Sequence, residues 1–447
     1  MKSTVAAPEG EGGKDRSRAA RAVIDRLLQM RQLWEDAANS YFDPGRFQLS
    51  VQSCITTART VTFILQSNKK ALANFDVWYE PYRKRCADDP VMVWARDTRN
   101  SVEKQGDLAT HSQVHVELVA SYLDGPQSEW VPANLFTTTT EIWRAVPAEL
   151  RTPHTIENGT LIVERRWVAN NYPEVELLEA IARVYSVLAD IVTDFVKALD
   201  LPIPGVIEVS RPDSMAQLAM DRATYVSMKD GSIIGVRLEK AGGPPVKEKH
   251  LLKRYGRKGT HSIHDLKNAK TFLEICEAYF RTARIVLRND GYHRSFALLL
   301  KGSAVFRVVG TDHPDRASRY LMVRELARYA TAEGADGVIM INESWIANVK
   351  DAPKSGFAVD AKNRGEALTL VAANAQGDEI NIMAPFHRKK NKTHKIKLIE
   401  PNKVSVGTPH FILIPFLKEW GRFDITRYEE PSRIAAEAGI EDPWAKA

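Results

Sequence analysis

Apolar residues recur at spacings of three and four through much of the first 200 positions. Val23, Leu27, Met30, Trp34, Ala38 and Tyr41 fall on one stripe and predict an amphipathic helix that Asp43-Pro44-Gly45 ends. Phe47, Val51, Ile55, Ala58, Thr62 and Leu65 predict a second helix over roughly 46–70. Trp78, Tyr79 and Tyr82 then add aromatic bulk around Pro81. Asp88-Asp89 as caps and Pro90 at a first helical position predict a third helix running to about Gln105, with Gly106 as its stop. Val114–Leu123 and Thr160–Val168 read as strands or extended insertions on either side of a proline-bearing stretch from Pro126 to Pro153. The clearest helix runs from Pro173 to about Leu199, with Leu177, Ile181, Val184, Leu188, Ile191 and Phe195 on its core side.

The period changes after Leu201-Pro202-Ile203-Pro204-Gly205, which two prolines and a glycine mark as a domain boundary. Tyr225–Met228 and Ile233–Leu238 flank an Asp-Gly turn and predict a hairpin. Gly242-Gly243-Pro244-Pro245 breaks it. A helix over about 265–289 carries Phe272, Leu273, Cys276, Tyr279, Phe280 and Leu287. Phe296–Leu300 and Ala304–Val309 predict a second hairpin around Lys301-Gly302-Ser303, and Arg316–Glu333 a basic amphipathic helix. Gly337–Asn342, Ala367–Ala373, Glu379–Ala384, Lys395–Ile399 and Phe411–Pro415 are strand candidates.

These elements predict an α+β, multidomain chain: a disordered tail over 1–15, a helical bundle over 16–200 with an extended insertion near 107–170, an antiparallel α+β domain over 206–430, and a C-terminal tail over 431–447. Strands outnumber helices in the second domain and most connections are short, which favours an antiparallel sheet over a doubly wound one. The length of 447 residues suits two or three domains, each with its own core. Three cysteines, Cys54, Cys86 and Cys276, are far apart and odd in number. That excludes a disulfide framework and a sequence-local thiolate metal site, and points to the cytoplasm. No apolar run approaches a membrane span or the core of a signal peptide. A formal charge of +6 leans towards anionic partners and fits a plain soluble protein equally well.

The third helix carries Arg96-Asp97-Thr98-Arg99-Asn100-Ser101-Val102-Glu103-Lys104. Its Arg99-Asn100 pair resembles the signature of HEPN domains, helical bundles in which Arg-Asn-x-x-x-His cleaves RNA without a metal. The resemblance extends over about residues 16–200. It implies that Arg99 holds a phosphate, that Asn100 orients its neighbours, and that Lys104 stands where the family has its histidine. It also implies pairing of two copies through the helical domain, no cofactor, and RNA-associated biology such as phage defence or toxin-type systems. A lysine titrates near 10.4 in water, so a base at neutral pH needs a downward shift of about three units; protonated, Lys104 could still hold a phosphate as a point charge. The bland reading is an ion pair between Arg99 and Glu103, one helical turn apart.

Two basic runs are candidates for contact with an RNA or DNA backbone. His387 to Lys397 includes Arg388, Lys389, Lys390 and Lys392, has no acidic residue, and reads as an exposed phosphate-contacting loop or a solvated turn guarding a sheet edge. Lys247, Lys249, Lys253, Arg254, Arg257 and Lys258 form the second, with Tyr255 among them. Gly256-Arg257-Lys258-Gly259-Thr260 lacks the spacing of a phosphate loop, which excludes nucleotide hydrolysis there. His111 and His115 lack the helical metalloprotease arrangement, and His313-Pro314-Asp315 follows a strand where a J-domain would join two helices. Asp336, Glu343, Asp360 and Glu366 would serve a metal nuclease only if two or three converged with a lysine. Three functions stay open: a catalytically degenerate binding or regulatory protein, a metal-independent endoribonuclease using Arg99, and a scaffold or oligomerisation module without a nucleic-acid role.

Overall fold

The chain is α+β and multidomain, with a helical region preceding antiparallel sheets. The computed structural model describes residues 11–437 except 107, 124–128, 131–133, 206–222, 236–238, 241–248, 251, 256–265, 267, 312, 314, 352, 391, together with residue 439. The fold divides into two compact units. One comprises Met1–Val116, Trp130–Val146 and Ile162–Thr224; the other comprises Glu117–Glu129, Pro147–Leu161 and Tyr225–Ala447. The division therefore differs from the expected 16–200 and 206–430. It runs through β1 (Thr110–Val119) and β3 (Thr160–Ala169), because each of these ten-residue strands contributes residues to both units.

Helix α1 (Glu11–Asn39) starts inside the segment expected to be a tail. Asp43-Pro44-Gly45 does more than end it. The Asp43 carboxylate accepts from the Arg46 amide at 3.2 Å and Pro44 occupies the first turn, so the tripeptide starts α2 (Pro44–Ser67). The aromatic stretch forms α3 (Phe75–Asp88), with Pro81 inside it. Helix α4 (Pro90–Gln105) has the expected ends: Asp89 accepts from the Val91 amide at 3.0 Å, and Gly106 follows at φ 116°. The short α5 (Thr139–Arg144) has a capping box, and α7 (Leu177–Ala198) is capped by Glu176. Leu27, Met30 and Trp34 of α1, Phe47 and Val51 of α2, Trp94 of α4, and Tyr185, Leu188 and Phe195 of α7 are buried in one core. Burial of each such side chain stabilises by about 1.5–3 kcal/mol. Trp34 donates its indole N–H to the Leu178 carbonyl at 2.8 Å, and Trp167 donates to the Tyr41 carbonyl at 2.9 Å. Arg165 is also buried, and desolvation brings its pKa down to about 10. It is held by Ser112 Oγ at 3.2 Å, by the Leu135 carbonyl at 2.9 Å and by the Thr137 carbonyl.

The first sheet has the order β2-β1-β3-β5-β6, with β2 at Glu129–Trp130, β5 at Ala223–Ser227 and β6 at Ile233–Ile234; β4 (Tyr172–Glu176) also pairs with β3. Beside it in sequence, α6 spans Pro153–Asn158. The second sheet contains β7 (Glu239–Lys240), β8 (Phe296–Lys301), β9 (Ala304–Gly310), β10 (Gly337–Ile346), β11 (Gly365–Asn374), β12 (Glu379–Lys389) and β13 (Lys392–Ile399) in the order β13-β12-β11-β10-β8-β9-β7. A further strand, β14 (Lys403–Val406), pairs with β12.

Alternation along the strands builds a three-layer unit. Ile339, Ile341, Leu368, Leu370, Ile380 and Ile382 share a core with Cys276, Phe280 and Leu287 of α8 (Phe272–Asp290). Val338, Met340, Val371 and Ala373 point the other way, into a core with Val323 and Leu326 of α9 (Arg316–Ala332) and Phe416 and Leu417 of α10 (Ile414–Glu419). Phe411–Pro415 is not a strand. A 3-10 turn at Phe411–Leu413 runs into α10, His410 Nδ1 accepts from the Ile412 amide at 3.3 Å, and Pro415 sits in the first helical turn. The expected C-terminal tail begins within α11 (Glu429–Glu437). No helix among the described residues is long and apolar enough to cross a membrane.

Candidate nucleic-acid interface

Helix α4 buries Val91, Trp94, Ala95 and Thr98 and exposes Arg96, Asp97, Ser101, Glu103 and Lys104. Arg99 and Asn100 lie on the border between these faces. Arg99 Nη2 pairs with Glu103 Oε2 at 2.7 Å, and Nη1 donates to Asn100 Oδ1 at 3.0 Å. Its Nε is buried without a hydrogen-bond partner. The guanidinium carbon lies 6.0 Å from the centroid of Phe63 on α2, and Arg59, one turn earlier on α2, stacks over the same ring at 4.1 Å. Arg59 Nη1 also donates to Thr62 Oγ1 at 3.0 Å, and among the described residues no carboxylate pairs with it. Phe63 is 42% exposed, so the two arginines flank an aromatic ring that water reaches. The 430 Å³ cleft of this unit lies by Asp89, Tyr172, Arg183 and Ser186; neither Arg99 nor Asn100 lines it.

The run from His387 to Lys397 is not an exposed loop. His387–Lys389 close β12 and Lys392–Lys397 open β13, which leaves a tight turn at Lys390. Arg388 continues the inward stripe of Ile380, Ile382, Ala384 and Phe386. On the neighbouring strands Glu366 continues Leu368 and Leu370, and Glu343 continues Ile339 and Ile341. The three charges therefore meet on the α8 face, just beyond the apolar core. Arg388 Nη2 reaches Glu343 Oε2 at 2.7 Å, Nε reaches Glu366 Oε1 at 2.9 Å, and Nη1 donates to the Gly291 carbonyl at 2.6 Å. Its donors are committed to protein acceptors, so it is not free to hold phosphate. Burial raises the Glu343 carboxyl above its ordinary value, against the lowering effects of the His293 amide and of Arg388. Lys389 is exposed, and the Lys392 side chain lies outside the described residues.

In the other basic cluster, Lys253 and Arg254 lie on a helical turn and are exposed, while Arg257 and Lys258 lie outside the described residues. Arg254 Nε pairs with Asp290 at 3.0 Å, and the Tyr255 hydroxyl donates to the other oxygen of Asp290 at 2.9 Å. Asp315 of the His-Pro-Asp tripeptide caps α9 by accepting from the Ser318 amide at 2.8 Å. Glu343 and Glu366 do converge, yet on an arginine; no group of three His, Cys, Asp or Glu among the described residues could hold a metal ion. Arg59 and Phe63 escaped the sequence reading. The available signal was an aromatic ring on the polar side of the α2 stripe with a cation one turn before it.

The model of the family described as "Bacteriophage lambda protein ea47" matches residues 14–435. The chain belongs to the bacteriophage lambda Ea47 family. Protein ea47 of Escherichia phage lambda is 30% identical over 332 residues, covering 72% of this chain and 78% of that protein. No solved structure matches. The Ea47 match spans almost all of both units, and so covers the Arg-Asn helix and the β10–β12 charge cluster alike.

Proposed function

We propose that this Ea47-family chain is a cytoplasmic, HEPN-like binding or regulatory protein that associates with RNA and does not cleave it. The observation that carries the reading is the state of Arg99: paired with Glu103, bonded to Asn100, and set with Arg59 around the exposed ring of Phe63. Cleavage at neutral pH would need a base in place of the family's histidine, and Lys104 is exposed, without the burial that makes a lysine a base. Two guanidinium groups beside an aromatic ring form a surface on which an unpaired base can stack while its phosphate meets a cation. Family membership supports a phage setting, and a link to phage defence or toxin-type systems belongs to the same proposal. Pairing of two copies through the helical domain would double this surface.

The test is filter binding of single-stranded RNA by the full chain. Phe63→Ala should weaken binding by about 5- to 150-fold, the equivalent of one lost stacking contact of ~1–3 kcal/mol. Equal binding by parent and variant would overturn the placement of the interface.

A further inference from the structure

Where α8 ends at Asp290, the chain turns through Gly291-Tyr292-His293-Arg294 before entering β8, and a cavity of about 330 Å³ opens beside that turn. Its walls are largely aromatic and apolar: Tyr279 and Val286 from α8, Phe296 from β8, and Ile341 from β10. His293 lines it, is 7% exposed, and has its Nδ1 buried without a hydrogen-bond partner. The imidazole lies 5.1 Å from the Phe296 ring. Burial lowers the His293 pKa to about 4, so the ring is neutral near pH 7 and offers a hydrogen-bonding nitrogen without charge. Asp290 also lines the cavity, but both of its oxygens are taken, by Arg254 and Tyr255. Arg294 stands exposed at the lining, and among the described residues no carboxylate pairs with it.

We propose that this cavity binds a nucleotide, its base enclosed between the aromatic walls and hydrogen-bonded to His293, its phosphate on Arg294. The volume lies at the small end of ligand pockets, about 300–1,000 Å³, and suits one heterocycle with the sugar and phosphate left at the mouth. A dry cavity with flat walls favours a ring, and a single unfilled nitrogen among apolar groups favours a ring with a polar edge. A nucleobase has both. An aliphatic ligand would leave His293 Nδ1 unpaired, and a compact anion would gain nothing from the aromatic walls. The ligand's source is either a free nucleotide or the end of an RNA strand, and the chemistry is the same for both.

The experiment is calorimetric titration of the full chain with AMP, GMP, CMP and UMP, with the four nucleosides, and with ribose 5-phosphate. At least one nucleotide should bind with Kd below about 1 mM. Val286→Trp, which places an indole in the cavity from a half-buried helical position, should weaken that binding at least about tenfold. Arg294→Ala should weaken the nucleotide and leave the matching nucleoside unchanged. Displacement of the bound nucleotide by a short oligoribonucleotide ending in the same base assigns the RNA end as the source; no displacement assigns the free nucleotide; base binding predicts one of the two. Absence of binding by all four nucleotides overturns the proposal. So does unchanged binding by Val286→Trp, or ribose 5-phosphate binding as tightly as a nucleotide. Phe63→Ala does not touch this cavity, so the result stands apart from that of the RNA-interface test.

Discussion

Replacing Arg388 with leucine separates two readings of the basic run, because one makes the residue a phosphate contact and the other a keystone. The guanidinium satisfies two carboxylates and one helix-capping carbonyl, and the side chains of Arg388, Glu343 and Glu366 are 21%, 23% and 26% exposed. Removing one partner from a largely buried ion cluster costs about 3–5 kcal/mol, mostly because the remaining charges stay desolvated and unpaired. The turn also loses its brace: Gly291 sits at φ 80°, with the His394 backbone oxygen 1.7 Å from where a Cβ would lie, so this close crossing depends on accurate placement. In a unit of some 250 residues, each kcal/mol moves Tm by about 2–4 °C, so the expected loss is roughly 6–20 °C. Replacing exposed Lys389 and Lys390 with Gln should change stability by no more than about 0.5 kcal/mol. Acidification adds a signed check. Glu343 already titrates above its ordinary value, and without Arg388 it should titrate higher still. Its folded state then holds the proton more tightly than the unfolded one, so stability of Arg388→Leu should rise as pH falls from 7 towards 5. Thermal unfolding of parent, Arg388→Leu and the double-lysine variant is the assay. A loss below about 0.5 kcal/mol in Arg388→Leu would refute the keystone reasoning and return Arg388 to the surface.

Two further outcomes follow from the same structure. His293 titrates at about 4 when folded and at about 6.5 when unfolded, so its contribution is intact above 6.5 and is lost as pH falls towards 4; at ~1.36 kcal/mol per unit this comes to on the order of 3 kcal/mol. Urea midpoints at pH 7 and pH 4.5 should diverge less in His293→Gln than in the parent, and equal divergence would place the acid sensitivity elsewhere. In Glu103→Ala/Lys104→His, which releases Arg99 and supplies an imidazole, RNA cleavage in chelator should appear and should vanish on adding Arg99→Ala; no gain would count against the HEPN-like reading.

Much of the architecture was legible because periodicity and caps are local signals. The stripe from Val23 to Tyr41, the Asp89-Pro90 start of α4 and the alternating Ile and Leu of β10–β12 each specify an element without reference to the rest of the chain. Phe411–Pro415 was misread because five apolar residues in a row fit a buried strand or a buried helix equally, and the deciding cap at His410 is a single side chain. The basic run was misread for a different reason. Composition showed six cations and no acid in sequence, whereas the carboxylates that neutralise Arg388 come from strands 22 and 45 residues away. The Arg99–Glu103 pair was visible from its spacing of four. Arg59 and Phe63 joined it only when α2 packed against α4. His293 carried no signal at all, since its burial is set by the turn and the sheet around it.

The central claim is that this Ea47-family chain holds RNA intact, and one measurement reaches both halves of it. End-labelled single-stranded RNA is incubated with the purified chain in chelator, collected on a filter, and the retained RNA is run on a denaturing gel. The account predicts RNA that is retained at full length, with retention weakened by Phe63→Ala. Shortened RNA whose cleavage disappears in Arg99→Ala would contradict it, as would no retention at all.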